Sequence, residues 1–110
     1  MSFLTIEVEK PRAQSVEVTE NTLTVDLTDG RTISVPLAWY RRLLDGRPEE
    51  RSHWRLIGGG EGIHWPDLDE DLSVENLLTG RRSGESRRSF NRWAGLRLSR
   101  AKLRRTKRRR

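Results

Sequence analysis

An α+β fold is predicted for this chain of 110 residues, and three observations predict it. Apolar and polar residues alternate on both sides of an Asp-Gly turn, the two-residue period of half-buried strands. Two short segments carry apolar residues at helical spacing. An acidic stretch ends at a glycine, beyond which the charge reverses sign. The expected architecture is a small antiparallel sheet, a three-stranded meander plus a second hairpin, covered by two short helices and followed by a basic tail.

In the meander, Leu23, Val25 and Leu27 alternate with Thr24, Asp26 and Thr28, and Ile33 and Val35 alternate with Thr32 and Ser34. Asp29-Gly30 stands between them, and Gly accepts the positive φ that tight hairpin turns need. Val16 and Val18, ahead of Glu20-Asn21, supply the remaining strand. Pro36 ends the meander, and Leu37, Tyr40, Leu43 and Leu44 then follow a helical period that stops at Gly46. "RPEERSHW" allows a further helical turn. Trp54, Leu56, Ile63 and Trp65 flank the glycine loop Gly58–Gly62 as a second hairpin. The order is β-β-β-α-β-β-α.

The segment "IHWPDLDEDLSVENLLTG" reads as the joint between a strand and the closing helix. Ser73 is placed to cap the helix, with Leu72 and Leu77 as a hydrophobic staple. Val74, Leu77 and Leu78 form its apolar face, and Gly80 stops it. Asp69, Glu70 and Asp71 lie near the positive end of its dipole. A calcium loop fits poorly: after Asp67, Asp69 and Asp71, Leu72 stands where the loop needs its turning Gly, and Leu78 where it needs a bidentate Glu.

Composition excludes several chemistries. With no cysteine there is no disulfide, thiol catalysis or cysteine-bound zinc. His53 and His64 lack a paired-ligand spacing, and "GGGEG" is followed by no Lys-Ser/Thr of a phosphate loop. No catalytic constellation is present, so the expectation is a non-enzyme without a cofactor or metal. The N-terminus has no basic region followed by an apolar run, as a signal peptide would, and no segment approaches the ~20 apolar residues of a membrane helix; a cytoplasmic protein is expected.

Charge divides the chain. Residues 1–80 hold eight Lys+Arg against fifteen Asp+Glu, a net of −7; residues 81–110 hold fourteen against one, a net of +13. The expected organisation is a compact acidic domain over 1–80 and an Arg-rich extension over 81–110. Phe90, Ala94, Leu98 and Ala101 recur at helical spacing, compatible with a single basic helix over 89–106.

The strand pair "LTVDLTDGR" and the closing "IHWPDLDEDLSVENLLTG" together resemble the bacterial family known as domain of unknown function 2442. Leu23, Val25, Asp29, Gly30 and Arg31 match its first motif; Ile63, Trp65, Pro66, Leu68, Asp69, Asp71, Leu72, Ser73, Leu77, Leu78 and Gly80 match its second. The resemblance spans roughly residues 16–80 and implies a compact α+β domain without an assigned catalytic residue. Some members carry a helix-turn-helix segment, and others are encoded beside a second small protein in a toxin–antitoxin-like arrangement. The basic extension falls outside the motif.

Four readings of the extension stand open: nucleic-acid binding, a solvated disordered tail, folding back onto its own or a second acidic body, and an anionic membrane surface. The favoured expectation is an antitoxin-like regulatory or accessory protein. Its tail residues Arg87, Arg88, Arg92, Trp93, Arg97, Arg100, Lys102, Arg104 and Arg105 would bind DNA or RNA, without membrane contact. Trp54, Trp65, Asp67, Asp69, Glu70 and Asp71 would bind a small protein partner. The alternative is a protein-interaction module with an incidental disordered tail.

Overall fold

The structure, a computed structural model, describes the chain from Lys10 to Arg108, with side chains described as far as Arg100. The N-terminal leader expectation therefore lies outside the described residues.

Strands β1 (Ala13–Val18), β2 (Thr22–Leu27) and β3 (Thr32–Pro36) form the expected antiparallel meander. Its register explains the alternation. Val18, Leu23 and Val35 stand side by side across the three strands, as do Val16, Val25 and Ile33, so one face is apolar throughout. On the other face, Asp26 accepts hydrogen bonds from Ser15 and Thr32, each at 2.7 Å. The β2–β3 turn is a short loop in which Gly30 adopts φ +92° and its amide donates to the Leu27 carbonyl at 3.1 Å.

The apolar period after Pro36 is not one continuous helix. A 3-10 turn over Leu37–Trp39 and helix α1 (Arg41–Asp45) are separated at Tyr40, whose backbone is extended. The break places Leu37, Tyr40 and Leu43 in the core and leaves Leu44 exposed. Helix α2 (Pro48–Arg51) follows Gly46, where a Cβ would meet the buried Leu68 side chain at 2.8 Å. The Arg51 guanidinium donates to the Leu43 and Leu44 carbonyls and so closes the open end of α1.

The second hairpin is present as β4 (Arg55–Ile57) and β5 (Gly62–Trp65), and it gains a third strand, β6 (Glu70–Ser73). The fold therefore has two three-stranded antiparallel sheets. Strand β6 is not among the strands expected from the sequence, and it fixes the conformation of the acids that precede α3. Glu70 and Asp71 are strand residues paired with Trp65 and His64, and Asp69 is a turn residue at φ +50°. The cap is the expected one: the Ser73 hydroxyl accepts from the Asn76 amide at 3.1 Å, at the start of α3 (Val74–Thr79). Leu72, Val74 and Leu77 are buried, whereas Leu78 is exposed rather than part of the packed face. Gly80 ends α3 in a left-handed conformation at φ +72°.

The extension forms one long helix, α4 (Arg87–Arg108). One core cluster joins the two sheets, α1 and α3, with Trp65, Leu68, Leu23 and Leu37 fully buried within it; Trp93 of α4 packs against its edge.

A basic helix seated on an acidic body

The seat of α4 is built from side chains of the segments that connect the strands. At its entry, Tyr40 Oη donates to the Arg81 carbonyl at 3.1 Å and the Ser83 amide donates to the Trp39 carbonyl at 3.2 Å, tying the linker to the body. Arg42 donates through Nε to both Glu85 oxygens, at 3.0 and 2.9 Å, and through Nη1 to the Asp69 carbonyl at 2.9 Å. Farther along, Arg97 grips Glu50 with Nη1 at 2.9 Å and Nη2 at 2.8 Å, and also reaches the Asp67 carbonyl at 3.2 Å. Between these clamps lies Trp93, whose ring is approached by the guanidiniums of Arg42 at 5.0 Å and Arg97 at 4.7 Å.

Glu50 is the acidic side chain on which this seat depends. It is buried in α2, and its carboxylate also accepts the Arg47 amide at 2.9 Å. Hydrogen bonds from Arg97, working against burial, hold its carboxyl at about 2. Glu70 is the opposite case. Burial raises its carboxyl to about 7, with the Arg42 charge only partly opposing the shift. The folded state therefore holds this proton more tightly than the unfolded chain, whose carboxyl titrates near 4.5. Its contribution to stability is complete at acid pH and is lost as pH rises through the window from about 4.5 to about 7. Glu70→Gln is accordingly expected to be more stable than the parent protein above that window. Urea midpoints on either side of it check this; equal midpoints for the two proteins at every pH would contradict it.

The residues expected to form a partner surface divide in the structure. Trp65 is fully buried and donates Nε1 to the Arg51 carbonyl at 2.9 Å, so it belongs to the core. Trp54 is half-buried against that core. Asp67 pairs with His53 at 2.7 Å, Asp71 pairs with His64, and Asp69 faces Arg42. Glu70 is half-buried. Asp67, Asp69 and Asp71 thus make contacts within the fold and remain exposed at its surface. Among the described residues, no three His, Asp or Glu side chains converge as a metal site.

The residues expected to bind nucleic acid divide as well. Ser89, Phe90, Trp93, Ala94 and Arg97 form the body-facing stripe of α4, with Phe90, Trp93, Ala94 and Arg97 half-buried. Arg87, Arg88, Arg92 and Arg100 are exposed and outside every ion pair among the described residues. Lys102, Arg104 and Arg105 lie outside the residues whose side chains are described. Arg42, Glu50 and Glu85 are functional residues of the seat that the sequence does not single out. The solitary acid in a basic tail is the available signal for Glu85; nothing in the local pattern around Glu50 names Arg97 as its partner.

Fold and site thus define a small α+β domain of paired three-stranded sheets carrying a docked basic helix. Residues 13–83 match the family described as Protein of unknown function (DUF2442), and the chain belongs to that family. The fold is similar to that of a protein of unknown function from Rhodospirillum rubrum ATCC 11170, with a TM-score of 0.61 and 28% identity over 70% of this chain and 95% of that one. It is also similar to an uncharacterised protein from Chromobacterium violaceum, with a TM-score of 0.58 and 24% identity over 66% of this chain and 69% of that one. The comparison with curated proteins finds no match. No described helix is long and apolar enough to cross a membrane.

Proposed function

We propose that this protein is a non-enzymatic, cytoplasmic regulatory or accessory protein, antitoxin-like in organisation, whose α4 binds nucleic acid while the body contributes a protein-binding surface. One observation carries the reading. Acids of the body neutralise Arg97 on the inner face of α4, while Arg87, Arg88, Arg92 and Arg100 stay solvent-exposed and unpaired within the described structure. The basic residues beyond Arg100 extend the same charge along the chain. Such a helix can meet a phosphate backbone without first breaking its intramolecular ion pairs.

Anisotropy of labelled duplex DNA and single-stranded RNA across a salt series tests this. About five duplex phosphate contacts along α4 alone contribute about −4.5 to the log–log salt slope. The full-length variant R87Q/R88Q/R92Q/R100Q should flatten that slope by about 3.6 units, at about 0.9 for each phosphate left unneutralised. No binding by the parent protein near physiological salt would overturn the reading. A truncation at Gly80 is the poorer control, because it also removes Glu85, Trp93 and Arg97 from the body.

A second reading, a protein-interaction module, is favoured by β4. This short strand lies at the edge of its sheet and exposes Leu56 and Ile57. Main-chain pairing by an extended partner segment would use such an edge.

A further inference from the structure

Five arginines gather at the entry to α4, where three stretches of chain meet. Trp39-Tyr40-Arg41 is tied to Arg81-Arg82-Ser83 by the Tyr40 and Ser83 hydrogen bonds. The first turn of α4, with Arg87 and Arg88, lies against the same place, because Arg41 reaches the ring of Phe90. The Arg41 guanidinium carbon is 4.5 Å from the Phe90 ring centre, and that of Arg82 is 4.8 Å from the Trp39 ring centre. Arg41, Arg81, Arg82, Arg87 and Arg88 are all exposed. None forms an ion pair among the described residues. The one acid of the linker, Glu85, feels the charge of Arg41 but is bonded to Arg42 and to the Ser89 hydroxyl.

We infer that Arg41 of the body and Arg82 of the linker form a second contact point for nucleic-acid phosphates, continuous with Arg87 and Arg88. The chemistry follows from the stacking. A guanidinium beside an aromatic ring is restrained by the cation–π attraction, while its in-plane N–H groups stay available to fork onto phosphate oxygens. Restraint before binding lowers the ordering cost that a free arginine incurs on contact. The interface then runs from the body onto α4, and the clamps at Arg42–Glu85 and Arg97–Glu50 fix the spacing between its two parts.

This inference rests on the reading of α4 as a nucleic-acid element, and the test separates the two. The full-length variant R41Q/R82Q is titrated onto the same duplex across the same salt series as the parent and the R87Q/R88Q/R92Q/R100Q variant. Removing two phosphate-binding charges should make its slope shallower by about 1.8 units. R41K/R82K keeps the charges and should recover most of that slope, with weaker binding because the planar fork is gone. Binding by the parent with an unchanged slope in R41Q/R82Q overturns the second contact point and leaves the reading of α4 intact. A shallower slope in R41Q/R82Q that R41K/R82K does not recover also overturns it, since the arginines would then act by supporting the fold. No binding by the parent overturns both.

Discussion

Replacing Trp65 by alanine is expected to unfold most of the domain. The indole is fully buried at the end of β5, and among the described residues it is the largest of the fully buried side chains. Truncating a buried aromatic side chain to alanine costs about 3–5 kcal/mol through reduced burial and the cavity that remains. The substitution also removes the donor from the half-buried Arg51 carbonyl, which it meets at 2.9 Å, and the loss of a typical hydrogen bond adds about 0.5–1.5 kcal/mol. Small domains have only about 5–15 kcal/mol of stability in total. Thermal unfolding followed by circular dichroism checks the prediction. A midpoint lowered by about 15 °C or more, or no cooperative transition, is expected from the ~4–8 °C per kcal/mol typical of small domains. A midpoint equal to that of the parent would show that the core is not organised around Trp65. Trp65→Phe should fall between the two, because it keeps an aromatic ring in the core while removing the hydrogen bond.

The second large effect is expected at Glu50. Its carboxylate accepts two bonds from Arg97 and one from the Arg47 amide, so it joins α4 to the start of α2. Glu50→Ala leaves Arg97 with its 3.7 Å approach to Asp45, its bond to the Asp67 carbonyl and its place beside the Trp93 ring. The pair is at the edge of the body rather than deep within it, so a cost of about 2 kcal/mol is expected, the range of hydrogen bonds to charged groups. That cost should fall mainly on the docking of α4, while the two sheets persist. Amide exchange over residues 89–100 and Trp93 emission would report it; unchanged protection there would refute the clamp. The pH dependence has a definite sign. Because the folded Glu50 carboxyl lies at about 2 against an ordinary 4.5, its contribution is complete above about 4.5 and disappears as pH falls toward about 2. Acid should therefore loosen α4 in the parent across that window, whereas Glu50→Gln should begin loosened and keep only the acid response that comes from the Arg42–Glu85 clamp, whose carboxyl Arg42 also holds below its ordinary value.

Position and partner explain which parts of this fold are legible in the sequence. The meander is readable because Leu23, Val25 and Leu27 must all face one side of a strand, and Gly30 marks the turn that returns the chain. The Ser73 cap is readable because capping involves residues only three apart. Strand β6 is not, since Glu70 and Asp71 show no strand preference of their own and are held extended by pairing with Trp65 and His64. The helix break at Tyr40 is equally hidden: Leu37 and Leu43 reach the core on either side of an extended residue, so their spacing imitates one continuous helix.

Charge shows the same boundary. Composition alone established an acidic body with a basic extension, and apolar period alone established α+β, because both are properties of residues close together along the chain. Only tertiary structure decided which arginines are neutralised and which face solvent. Arg97 and Glu50 are 47 residues apart, and Arg42 and Glu85 are 43 apart. Over such separations, pairing depends on where the packed core holds each backbone, a dependence that no local pattern of residues records.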